Sequence, residues 1–153
     1  EEAAELLTEA RTTTERLRAR HHSAYARLFE GVVAARSGQL EAAAEILEDA
    51  AAAFYDQGSS VHFGWSRMLL AVVFVAMKDL KAAEREAGEA LLFLEATPAL
   101  RASCMGALGA VHLLRGRTDE AKEALGADFE RLAGLRQSSP SEAISMLCFL
   151  MSR

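Results

Sequence analysis

Apolar residues recur along this chain at steps of three and four, the spacing that places them on one face of a helix. Leu40, Ala43, Leu47, Ala50 and Phe54 form such a stripe, with Glu41, Glu45, Glu48 and Asp49 opposite it. Leu80, Ala83, Ala87, Ala90 and Leu94 repeat the pattern. The periodicity predicts a leading helix over about 3–18, with Leu6, Leu7, Ala10 and Leu17 on its buried face. Helix pairs follow at about 20–36 and 40–56, 61–77 and 80–95, then 99–115 and 118–134. A last helix starts after Pro140, for about eight in all. The breaks between pairs fall at Gln57-Gly58-Ser59-Ser60, Ala96-Thr97-Pro98 and Gln137-Ser138-Ser139-Pro140, where Gly and Pro end helices.

Three segments align without gaps. They run from Ala35 to Ala43, from Val75 to Ala83 and from Leu113 to Ala121. Each reads as a helix end, a tight polar turn and a new helix start. Gly38 and Gly116 suit a left-handed helix terminus, while Lys78 stands there in the middle copy. The closing alanines Ala43, Ala83 and Ala121 set repeat steps of 40 and 38 residues. Each first helix carries a small residue twelve positions before its alanine, at Gly31, Ala71 and Gly109. The repeats span about 20–58, 61–97 and 99–136, with a partial one at 141–153, inside a single domain over 1–153.

Three registered copies of a small-residue helix pair resemble the tetratricopeptide repeat family. The repeat exceeds that family's usual ~34 residues and looks more like the long type found in bacterial regulatory proteins. Asp128 departs from the pattern, standing where the other copies have Ala50 and Ala90. The resemblance implies an all-α, right-handed α-solenoid of antiparallel helix pairs. It also implies a concave surface lined by the first helix of each pair.

That surface is expected to hold Tyr25, Leu28, Val32 and Ala35, with Arg36 at the rim. From the next first helix come Trp65, Met68, Val72 and Val75, and from the third Ser103, Gly106, Ala110 and Leu113. Such a groove is apolar and suits an amphipathic helix laid along it. Val32, Val72 and Ala110 stand where a carboxylate clamp would need Lys, Arg or Asn. Helix 61–77 is apolar nearly all round, so it is either buried under its own neighbours or covered on one face by a partner. The last helix adds Ile144, Met146, Leu147, Phe149, Leu150 and Met151, a face expected to support self-association as a dimer or docking back into the groove.

Composition narrows the classes. Of 153 residues 51% are hydrophobic, many of them alanine, and only two prolines occur. A net charge of −5 argues against a phosphate-binding surface and hence against direct nucleic-acid contact. The densest basic stretch, Arg16, Arg18, Arg20, His21 and His22, reads as a solvated helix end with cations near the negative pole. Cys104 and Cys148 read as buried free thiols of a reducing cytoplasm. The most apolar run, Met68 to Met77, is shorter than the ~20 residues of a membrane span. The chain starts without Met and stops within an apolar segment, as a piece of a longer protein would.

The chemistry looked for is not there. Cys104 and His112 stand on one helix about 12 Å apart along its axis, too far for a nucleophile and its base. His21 and His22 diverge by about 100° on a helix. His62, at a helix start, reads as solvent-exposed. Neither H-E-x-x-H nor C-x-x-C spacing occurs, so no metal or cofactor is expected. The expected function is non-catalytic: a protein-interaction module of a cytoplasmic signalling or transcription-regulating protein. The alternatives are a sensor for a small hydrophobic molecule or signalling peptide, and a homo-oligomeric scaffold.

Overall fold

The computed structural model describes the backbone of residues 2–133 and the side chains of residues 16–126. Among the described residues the chain is all-helical, with six helices and no strand. These are α1 (Glu2–Arg36), α2 (Leu40–Asp56), α3 (Ser60–Met77), α4 (Leu80–Phe93), α5 (Pro98–Leu114) and α6 (Thr118–Ala133). From α2 onward the helix bounds agree with the periodicity to within two residues. The leading helix does not stand alone. It is continuous with the next as α1, because Arg18, Ala19 and Arg20 are good helix formers and no Gly or Pro interrupts residues 2–30. The helix expected after Pro140 lies outside the described residues.

Three turns share one construction. Gly38, Gly58 and Gly116 have φ of 81°, 67° and 74°. In each, the glycine N–H returns to a carbonyl three residues back. The next N–H reaches five back, as in Gln39 to Ala34, Ser59 to Phe54 and Arg117 to His112. This double bond pattern satisfies the carbonyls left over at a helix end. Lys78 adopts the same left-handed region, at φ 65°, without a glycine's freedom. Beside it, Asp79 accepts the Ala82 N–H at 3.0 Å and caps α4.

Each helix packs on the next along the chain, and α3 also touches α1 and α5. The main core joins Leu28 of α1, Leu47 and Phe54 of α2, Met68, Leu69, Leu70, Val72 and Val73 of α3, and Leu94 just after α4. A smaller cluster of Val75, Ala83, Ala110 and Val111 continues it between α3, α4 and α5. Each large apolar side chain so buried contributes about 1.5–3 kcal/mol.

Small residues set the helix approach. A Cβ on Gly31 would lie 2.7 Å from Leu47 Cγ, and one on Gly109 would lie 2.9 Å from Leu125 Cγ. Both pairs are sixteen positions apart, and the same step from Ala71 reaches Ala87, where both alanines are fully buried. Gly64, which the repeat pattern does not single out, makes a third close approach, to Phe93.

Polar ties sit at the joints. Arg115 pairs with the Glu84 carboxylate and donates to the Leu80 carbonyl at 3.1 Å, fixing the α5–α6 turn to the start of α4. Glu86, 2% exposed at its side chain, is held by Arg67 at 2.7 Å and Arg85 at 2.8 Å.

Candidate partner-binding surface

The expected groove residues divide sharply by burial. Leu28, Ala35, Met68, Val72, Val75, Ser103 and Ala110 are buried in the fold and cannot face a partner. Helix α3 contacts α1, α2, α4 and α5, so the faces assigned to an open trough are consumed by packing on neighbouring helices. Helical periodicity finds an apolar face but does not say which neighbour covers it. Tyr25, Val32, Trp65 and Gly106 remain partly exposed, and Leu113 and Arg36 are exposed. The self-association residues Ile144, Leu147, Phe149, Leu150 and Met151 lie outside the described residues.

What stays open is an aromatic row across α1 and α3. Tyr25 stacks on Phe29 with ring centroids 6.5 Å apart, and Phe29 meets Trp65 edge-on at 6.0 Å. Phe29 is 43% exposed, and Val33, one turn further along α1, is 63% exposed. Neither was among the expected groove residues. The available signal was the i, i+4 step from Tyr25 to Phe29 to Val33, which puts all three on one stripe.

Behind this row lies a polar junction of α1, the α2–α3 turn and α3. The Tyr25 hydroxyl bonds His62 Nε2, and Ser59 Oγ lies 2.7 Å from His62 Nδ1. A neutral imidazole protonated on Nδ1 donates to Ser59 and accepts from Tyr25, which satisfies all three groups. His62 stacks on Phe54 at 5.1 Å and meets the His21 ring edge-on at 5.3 Å. His21 Nδ1 is bonded in turn to Gln57 Oε1 at 3.1 Å. His62 is therefore a partly buried joint residue, not the solvent-exposed one its place at a helix start suggested. Burial, and then the neighbouring His21, lower its pKa from the ordinary 6.5. A serine beside an imidazole supplies the nucleophile and base of a triad but not its third member. Here the second ring nitrogen faces a tyrosine rather than a carboxylate that would stabilise the imidazolium.

Among the described residues no group of three or more His, Cys, Asp or Glu could hold a metal ion. Cys104 is buried, its Sγ donating to the Ala87 carbonyl at 3.2 Å. Helix α3 is the one described helix long and apolar enough to cross a membrane, and most of its residues are buried in this fold.

No family model matches the chain, and no curated protein or solved structure does either.

Proposed function

We infer that this chain is a protein-interaction module that seats an apolar or amphipathic helical segment against α1 and α3. The row Tyr25–Phe29–Trp65, with Val33 beside it, carries this reading. Partly exposed aromatics in contact with one another form an anchor at little entropic cost, and Trp and Tyr dominate binding hot spots. In this reading the sequential helix pairs are a right-handed α-solenoid of the tetratricopeptide type, and the row marks its concave side. Regulatory or signalling proteins of the cytoplasm are the setting such a module fits. The contact pattern supports the arrangement, since first helices touch first helices through α3.

Trp65 is the only tryptophan, so its fluorescence reports the row directly. Titration with amphipathic helical peptides is expected to shift its emission to the blue. Phe29→Glu and Val33→Glu alter exposed positions and leave the fold intact, yet they abolish the shift. A chain that responds only to small lipophilic compounds is a ligand sensor instead. One that responds to neither, with both glutamate variants unchanged, is not an interaction module at this surface.

A further inference from the structure

The aromatic row is fastened from behind by one hydrogen bond. Tyr25 stacks on Phe29 and meets Phe54 edge-on at 5.3 Å, while its hydroxyl reaches from α1 to His62 Nε2 on α3. Among the described residues this is the hydroxyl's one hydrogen bond. The other ring nitrogen, His62 Nδ1, is taken by Ser59 Oγ at 2.7 Å. Nε2 can accept from Tyr25 only while the ring is neutral. An imidazolium carries a proton on both nitrogens and has no acceptor to offer.

The surroundings give a charged His62 no counter-ion. The groups facing it are His21 and Tyr25 from α1, Phe54 from α2, Ser59 from the α2–α3 turn and Trp65 from α3 itself. None is a carboxylate. His21 is the other group of this set that can gain a charge near neutral pH, and Gln57 holds its ring 5.3 Å away. The Phe54 face favours a cation by about 0.5–1 kcal/mol. Burial and His21 outweigh it, since they keep the His62 pKa below the ordinary 6.5.

A protonated His62 is therefore a cation half out of water, beside a second imidazole, with a hydroxyl proton aimed at it. Turning Tyr25 outward relieves the conflict, and its ring is already partly exposed. That move takes from Phe29 the ring it stacks on, and Phe29 is the link to Trp65. We propose that protonation of His62 unlatches Tyr25 from α3 and breaks up the aromatic row, so that the surface seats a partner at neutral pH and releases it in mild acid. The release of a partner rests on the interaction reading of the row; the latch does not.

Trp65 reads the latch in the free chain, because its ring lies 6.4 Å from His62 and 6.0 Å from Phe29. Its emission and the near-ultraviolet circular dichroism are titrated from about pH 8 to about pH 5. Both are expected to change in one step below pH 6.5, while far-ultraviolet dichroism stays constant. His62→Gln abolishes the step, since an amide keeps an acceptor for Tyr25 and a donor for Ser59 at every pH. Tyr25→Phe removes the step in the near-ultraviolet dichroism. A helical peptide of leucine and lysine, whose own charge is constant over this range, is then bound at both ends of the titration. Its affinity falls at least about threefold in acid on the wild-type chain and holds steady on His62→Gln. Signals that stay flat overturn the proposal, as does a step that survives His62→Gln or comes with loss of helix. A dichroism step that Tyr25→Phe leaves unchanged overturns it too. A peptide held equally tightly at both ends overturns the release of a partner. A chain that shows the step but binds the peptide at no pH sinks the interaction reading and leaves the latch standing.

Discussion

Gly31 of α1 faces Leu47 of α2 so closely that a Cβ on the glycine would stand 2.7 Å from Leu47 Cγ. Leu47 is fully buried and has nowhere to go. Gly31→Ala gains about 1 kcal/mol of helix propensity against about 1–3 kcal/mol of overpacking, so a net loss of about 1 kcal/mol is expected. Gly64→Ala costs more, because the obstacle is Phe93 Cβ at 2.9 Å, which moves only with its backbone. Gly109→Ala is close to neutral, since Leu125 is 44% exposed and can swing aside. Gly88 has open space around it, and Gly88→Ala should stabilise by about 0.5–1 kcal/mol. Denaturant midpoints of the four variants give the ranking, and any other order breaks the assignment of these contacts.

Lys78 holds a left-handed backbone at φ 65° in the turn where three other joints use glycine. The strain of that conformation is about 1–2 kcal/mol for a residue with a Cβ, partly offset by glycine's freer unfolded chain. Lys78→Gly is therefore expected to stabilise by about 0.5–1 kcal/mol, and thermal melting measures it.

Glu86 is a carboxylate taken out of water and held by Arg67 from α3 and Arg85 from its own helix. Arg67 also lies over the Phe63 ring, 5.0 Å from its centroid. Arg67→Met leaves one exposed partner for a buried charge and should cost about 2–3 kcal/mol. Adding Glu86→Leu removes the stranded charge and is expected to restore much of the loss, a coupling that a double-mutant cycle reads.

His62 is neutral in the folded joint, with its pKa below the ordinary 6.5 chiefly through burial. The unfolded chain therefore takes up this proton at higher pH than the folded one. Stability from this source is complete above about pH 6.5 and falls as pH drops toward the lowered folded value. Glu84 has a lowered pKa through its hydrogen bond with Arg115, so its contribution is lost only below the ordinary 4.5. Urea melts across pH 4–7 should show a loss in the upper half of the range that His62→Gln flattens.

Much of the fold was legible because its signals are local. Gly38 and Gly116, Asp79, Pro98 and Thr118 mark turns and helix starts whatever surrounds them, and the bounds follow. The join within α1 was missed for a related reason. Arg16 to His22 was read as a helix end on charge alone, although no residue there breaks a helix. The site was less legible. Met68 and Val72 lie on a helix that is apolar nearly all round, so their stripe could equally face a neighbour or a partner, and the helices packed round α3 decide it. Phe29 and Val33 stayed hidden because exposure depends on where α2 and α3 stop covering α1.

Because α3 is flanked by α1, α2, α4 and α5 while, among the described residues, α6 rests chiefly on α5, cohesion is graded across the described helices. Loss of α6 strips a neighbour from α5 and leaves the packing of α1–α4 on one another untouched, so thermal opening on this side should start at α6 and move inward. Amide protons of α3 would then exchange last, and those of α6 first.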